Sequence, residues 1–292
     1  MIRFASNRRF RSWPGFLVTA LFAGVVLAQN PSEEVPFVPT PQPVVDAMLK
    51  LAQVRPGDFV MDLGSGDGRI VISAARQYGA EGLGIEYDQT LIDQANKAAA
   101  EAGVADRVNF IKQDIFDTDL SQATVLTLYL LPEVNISLRP RIFEQLRPGA
   151  RVVSHDWDMG DWAPDAKMEV DAPGKEVGAH PKSTIYLWVV PANVAGPWKS
   201  RLGAGGELEL ELKQEFQRVG GTVRYRNVEC PITEATLSGD RIAIRACEGA
   251  NRLQMIGKAY PDRIVGMVSR GGAPRTQFRA LRDKPSAFPA FR

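Results

Sequence analysis

Three carboxylates in the first half of this sequence stand where they could hold a small polar ligand. Asp62 and Glu86 end short apolar runs, and Asp114 follows a third, in Gln113-Asp114-Ile115-Phe116. A carboxylate at the tip of a strand accepts hydroxyl, amino or ammonium hydrogens. Between the first two lies a turn, Gly64-Ser65-Gly66-Asp67-Gly68. Before it runs Phe59-Val60-Met61; after it Ile70, Val71, Ile72, Ala74 and Ala75 recur at helical spacing. This is a buried strand, a glycine turn and a helix N-terminus, and ligands bind outside the carboxyl end of such a strand. A dinucleotide fingerprint needs glycine at the first, third and sixth positions. Here the sixth position is Arg69 and the third glycine comes one residue early, so a ligand without a pyrophosphate fits better. Glu86 lies 18 residues after Gly68, near the roughly 20 at which an acid accepts ribose hydroxyls.

The elements that must position these residues follow an alternating pattern. A helix is expected to open at Thr40-Pro41, with Thr40 as its N-cap, and to stop at Pro56-Gly57. Further strands are expected over 82–85, 108–111, 125–130 and 151–154, with helices over 89–102 and 133–146; Pro140 should break or kink the last helix. Strand and helix in this rhythm predict a parallel sheet with helices on both faces. After 154 the rhythm changes. Only residues 155–165 separate the fifth strand from 168–170, too few for a packed helix, and 184–190 is a last strand. From Trp198 the period is two: Leu208, Leu210 and Leu212 alternate with Glu209 and Glu211, and Ile242 and Ile244 with Arg241, Ala243 and Arg245. Gly220-Gly221, Ser238-Gly239-Asp240 and Gly271-Gly272 punctuate them, which predicts antiparallel hairpins in a small barrel or curved sheet.

The glycine turn with Asp62 before it resembles motif I of class I S-adenosylmethionine (SAM) methyltransferases. FVPTP, LGSGDGRIVI, QDIF, ATV with YLLP, and RVVSHDWDMGDW, across residues 36–165, resemble the small lysine methyltransferases that act on ATP-synthase c subunit and adenine nucleotide translocase, and their uncharacterised bacterial relatives. The resemblance implies a Rossmann-like class I methyltransferase sheet, α/β, followed here by a C-terminal antiparallel all-β domain. It implies SAM as cofactor. Gly64, Ser65, Gly66, Asp67 and Gly68 would pass its methionine end, with Asp62 on the ammonium, Glu86 on the ribose, Asp114 on the adenine amino group and Ile115 on the ring face. Phe37 and Thr40 would close over it, and Tyr129 to Pro132 would line the methyl-transfer mouth. A late pair of strands, one inserted antiparallel, is what this fold requires. Displacement at a sulfonium needs positioning above all, and an amine acceptor must first lose its proton. Tyr129, His155 and Asp156 are the candidate groups for that step. Thr40 could equally cap its helix and do no more, and Tyr129 and His155 could be structural.

At 292 residues, 45% hydrophobic and 24% charged, the composition is that of a soluble globular protein. Charge is uneven. Residues 29–195 carry a net −10 and residues 196–292 a net +7, which divides the chain into a methyltransferase domain at 37–195 and a β domain at 197–284. Residues 1–28 read as a signal peptide. Arg8, Arg9 and Arg11 precede an apolar stretch from Trp13 to Ala28, and Val26-Leu27-Ala28 resembles a cleavage site. Residues 29–36 form a linker. The chain is then exported, periplasmic or secreted, with no stable span after cleavage; the alternative is a membrane anchor at 13–28. The two histidines, His155 and His180, have no metal-ligand spacing. Cys230 and Cys247 flank the turn at Gly239 nearly symmetrically, as a disulfide or as two buried thiols. The partner expected is a protein or small-molecule methyl acceptor. RNA methylation is a rival reading, but the basic strands lack the aromatic interleaving of single-strand binders. A third reading is an exported protein that binds SAM or another ligand without catalysis.

Overall fold

The computed structural model describes residues 37–178, 180–202 and 206–282. The expected leader and linker, and residues 283 and 284 of the expected β domain, lie outside the described residues. Five parallel strands form the centre: β1 (Phe59–Leu63), β2 (Glu81–Glu86), β3 (Val108–Lys112), β4 (Val125–Leu128) and β5 (Arg151–His155). With β6 (Ala166–Asp171) and β7 (Lys182–Val189) the order is β3-β2-β1-β4-β5-β7-β6, and β7 runs antiparallel between β5 and β6. β1 is paired along one edge with β2 and along the other with β4, its two faces pack into separate cores, and only Phe59 is more than marginally exposed.

Helices α1 (Gln42–Leu51), α2 (Arg69–Tyr78) and α3 (Gln89–Glu101) cover one face; α4 (Pro132–Gln145) covers the other. Val44, Val45, Met48 and Leu49 of α1 are buried against Val60, Val125 and Val153. Asp88 caps α3 by accepting from Thr90 N–H at 2.7 Å. The third glycine of the turn explains its own early position. Gly68 is left-handed at φ 78°, and a Cβ there would stand 2.6 Å from the Phe110 ring and 2.9 Å from Ala95. It lets α2 close on β3 and α3, the packing role that the sixth-position glycine has in a dinucleotide fold.

Two local expectations are corrected. Thr40 is not the cap of α1: Pro41 occupies that position with no side-chain bond. The residue before a proline is held extended, and Thr40 turns its hydroxyl to His155, 115 residues away. Pro140 does not break α4, which runs on to Gln145. Pro140 is on the exposed side, where water can satisfy the carbonyl that loses its partner.

No helix joins β5 to β6 among the described residues, as the short spacing predicted. Trp162 covers the sheet there, fully buried with Phe143 (4.5 Å between ring centroids) and Trp188 (5.8 Å). The last member of this aromatic group, Phe216, comes from the C-terminal half.

That half is a closed barrel of eight antiparallel strands: β8 (Gly196–Arg201), β9 (Glu207–Glu215), β10 (Arg218–Tyr225), β11 (Val228–Ser238), β12 (Arg241–Ala246), β13 (Leu253–Ala259), β14 (Arg263–Arg270) and β15 (Thr276–Leu281). Eight strands enclose a space that side chains can fill. Leu208, Leu210, Leu212, Ile242 and Ile244, from the alternate positions read in the sequence, fill it together with Trp198 and Phe278. Arg282 closes one end, its guanidinium 4.3 Å above the Trp198 ring. Cys230 and Cys247 form a disulfide, Cα atoms 5.3 Å apart.

The β9–β10 turn is one joint between the halves, and the β11–β12 turn, where a Cβ on Gly239 would stand 2.9 Å from Gly149, is another. Phe216 enters the aromatic group, and Gln217 accepts from Trp162 Nε1 at 3.0 Å and donates to Ala163 O at 2.7 Å. Replacing Phe216 by Ala should therefore lower stability by about 3–5 kcal/mol, measured by urea unfolding followed through tryptophan fluorescence.

Candidate active site

The turn between β1 and α2 is held by its backbone and one carboxylate. Gly64 and Ser65 N–H both donate to Ile85 O at 2.9 Å. Glu86 Oε2 accepts Gly66 N–H at 2.8 Å; Oε1 accepts Tyr87 and Asp88 N–H at 2.7 and 3.1 Å. A carboxylate has about four acceptor sites, so Oε2 can still take a ligand hydroxyl. The Phe37 ring lies on Gly66, where a Cβ would stand 2.1 Å from it. Asp67 is engaged by Arg69 Nε at 2.9 Å, and Arg69 Nη1 donates to Thr40 O at 2.9 Å. The residue that spoils a dinucleotide fingerprint thus ties the turn to the segment before α1. Ser65 Oγ is buried with no partner among the described residues.

Asp62 is almost fully buried beneath this turn and accepts one hydrogen bond, from Thr127 Oγ1 at 2.7 Å. Burial pushes its carboxyl up to about 7, and the charges of Glu86 and Asp67 push the same way. Asp114 is exposed, and Oδ1 accepts Phe116 N–H at 2.7 Å, closing a local turn. Ile115 is half-buried and packs on the core.

At the ends of β4 and β5, Tyr129 and His155 stack with ring centroids 3.9 Å apart. His155 is fully buried. Thr40 Oγ1 meets its Nδ1 at 3.2 Å, and Ser183 Oγ meets its Nε2 at 2.7 Å. Burial holds it down at about 4, helped by the Lys175 charge and opposed by Asp156, so the ring is neutral near pH 7. Asp156 is left-handed (φ 62°) and pairs with Lys175 Nζ at 2.7 Å. Tyr129 is half-buried, and burial, with Asp156 and Glu176, raises its hydroxyl above the usual range. Around this mouth the strand tips carry exposed apolar side chains: Tyr87, Phe116, Leu131 and Trp157.

A strand-tip carboxylate on a glycine turn, an orphaned serine hydroxyl, a buried acid without a cation and an aromatic mouth describe a nucleoside-and-ammonium site. The sequence comparisons agree. The family model of the ANTKMT methyltransferase domain matches residues 62–166. A protein-lysine N-methyltransferase of Saccharolobus islandicus is 39% identical over 157 residues, 53% of this chain and 94% of that protein. The chain belongs to this methyltransferase family. The adenine nucleotide translocase lysine N-methyltransferase of Mus musculus is 32% identical over 58% of this chain and 69% of that protein. A solved structure described as an RNA methyltransferase from Salinibacter ruber, in complex with S-adenosyl-L-homocysteine, is 58% identical over 52% of this chain and 93% of that chain, with a TM-score of 0.47.

The protein is thus a SAM-dependent methyltransferase, and its residues fit the cofactor. With SAM bound, Glu86 would be the acceptor for the ribose, Asp62 for the methionine ammonium, and the 64–68 turn would pass the tail. SAM, when bound, supplies a methyl group on a sulfonium. The structure gathers Phe37, Thr40, Asp62, Glu86, Tyr129, His155 and Asp156 at one edge of the sheet, with Asp114 on the neighbouring strand tip. Sequence reasoning missed Thr127, Arg69, Ser183 and Lys175. Arg69 was visible only as a departure from a pattern; the others gave no signal, because each acts through a partner far away in sequence.

Two outcomes follow. Glu86→Ala should weaken SAM binding on the order of tenfold to a hundredfold, since it removes a charged acceptor and frees the turn; calorimetry measures this. Asp62 releases its proton at a higher pH when folded than when unfolded, so its contribution to stability falls as pH rises from about 4 towards 7. A bound ammonium reverses that preference. SAM binding should release a proton between about pH 5 and 7, and affinity should weaken as pH falls through that window. Calorimetry in buffers of different ionisation enthalpy reads the release, and Asp62→Asn should abolish it.

Proposed function

We propose that this methyltransferase modifies lysine side chains of proteins and works outside the cytoplasm. The observation that carries the lysine reading is the Asp156 carboxylate beside Tyr129, at an apolar-rimmed mouth in a half-chain of net charge −10. A cationic side chain is drawn to such a site, and its stem can lie on the rim. Before transfer the ammonium must lose a proton, and Asp156 is the acceptor within reach of solvent. Tyr129 lines the path and His155, enclosed on both nitrogens, positions Tyr129 by stacking. Positioning a neutral amine in line with the methyl group then carries most of the barrier reduction. The two relatives whose names specify lysine point the same way.

Export is supported by the basic, then apolar, residues 1–28. The Cys230–Cys247 disulfide is the bond expected of an oxidising compartment. On this reading the mature chain is periplasmic or secreted.

The test is transfer of a radiolabelled methyl group from SAM into periplasmic and whole-cell extracts, fractionated into protein and RNA. Label should enter protein and survive as methyl-lysine after acid hydrolysis. Label in RNA alone would replace the lysine reading with RNA methylation. No label in either fraction, with SAM still bound, would make this a binding protein.

A further inference from the structure

The Asp156 carboxylate already holds a lysine, and that lysine belongs to the chain itself. Lys175 lies in the segment 172–181 between β6 and β7, at the same sheet edge as the tips of β4 and β5. Its side chain is only 10% exposed, and Nζ stands 2.7 Å from Asp156 Oδ2. Asp156 Oδ2 is in turn 3.4 Å from His155 Nε2, and His155 stacks on Tyr129. The neighbouring Glu176 acts electrostatically on both Tyr129 and Arg69 of the glycine turn. Lys175 therefore sits beside Asp156 and His155 at the ends of β5 and β7.

We propose that Lys175 is a substrate of its own chain, methylated in cis at Nζ; this rests on the lysine reading above. The ammonium has three donors. One faces Asp156 and a second donates to Lys182 O at 2.7 Å. The third has no partner among the described residues, so one methyl group can replace that hydrogen without costing either bond. The backbone at Gly178 lines one side of the head group, where a Cβ would be in ordinary contact, 3.6 Å from Lys175 Cε and Nζ.

In the step itself the Lys175 ammonium first gives the proton that faces Asp156 to that carboxylate, which passes it to water. The neutral amine turns about its Cε–Nζ bond so that its two hydrogens meet Asp156 and Lys182 O and its lone pair takes the third direction. The freed lone pair on Nζ then bonds the methyl carbon of SAM. The carbon–sulfur bond breaks, its electrons stay on sulfur, and S-adenosylhomocysteine leaves. The product is a monomethyl ammonium that keeps its charge and its hold on Asp156. A second methyl would have to displace Lys182 O or Asp156, so the reaction should stop at one.

The experiment uses the full chain, SAM with an isotopically labelled methyl group, and calf-thymus histone as a lysine-rich probe. Mass spectrometry of the digested chain should show one labelled methyl on Lys175. Its rate constant should not change on dilution of the enzyme, as a cis reaction requires. Lys175→Arg should remove that label, and Asp156→Asn should slow its appearance at least tenfold. Histone labelling with Lys175 unlabelled would overturn the proposal while leaving the lysine reading standing. So would a rate constant proportional to enzyme concentration. No label on Lys175 or histone, with SAM binding intact by calorimetry, would overturn both.

Discussion

The site depends on a single carboxylate serving two backbones. Glu86 Oε2 accepts the Gly66 N–H across the gap between two adjacent strands, while Oε1 holds the amides that begin the next helix. A turn containing three left-handed glycines has little reason to keep one shape by itself. The bonds from Gly64 and Ser65 to Ile85 O, and from Gly66 to Glu86, fix its middle against β2. A ligand whose hydroxyls met Glu86 would therefore meet the same group that shapes the turn for its tail. Recognition and preorganisation would then be one interaction, which lowers the ordering cost of binding.

The acceptor side is organised differently, by buried neutral contacts. Thr40, His155 and Ser183 come from the segment before α1, the end of β5 and the start of β7. A neutral imidazole between two hydroxyls is satisfied whichever tautomer it adopts, since each hydroxyl can donate or accept. That makes His155 a rigid platform for Tyr129 and leaves Asp156 as the more accessible of the two candidate groups on this segment. The strained φ of Asp156 is over-determined by Thr184, which donates its N–H to Oδ1 and accepts the Asp156 N–H through its carbonyl.

Most of the fold was legible because its signals are local. Period-two leucines marked the barrel, and glycine, proline and apolar runs marked the parallel strands. The shortage of residues after 154 announced a missing crossover helix. What stayed hidden was every feature whose cause is distant. Thr40 has the sequence signature of a cap, yet a histidine 115 residues on competes for its hydroxyl and wins. Pro140 has the signature of a break, yet it faces water, and the packing of Leu138, Ile142 and Phe143 carries the helix past it. Asp114 looks like a ligand contact and does hold its own turn, so the strand-end position alone did not separate the two uses.

The barrel makes sense of the shortened crossover. A class I sheet lacking its fifth crossover helix leaves the face beside β5 bare, and bare apolar sheet must be covered. Residues 156–165 are too few to do it as a helix, so they are pinned as an irregular segment from two sides. Asn135 of α4 donates to Trp157 O and Asp158 O at 3.4 Å each, Arg139 donates to Met159 O at 2.7 Å and pairs with Asp161, and Gln217 holds Trp162 and Ala163. Phe216 fills the remaining space, with the Arg139 guanidinium 5.6 Å above its ring. The second side of this clamp belongs to the β9–β10 turn. The segment it restrains begins with Asp156 and Trp157, so the C-terminal half braces the chain that follows β5, although none of its described residues is among the candidate cofactor contacts.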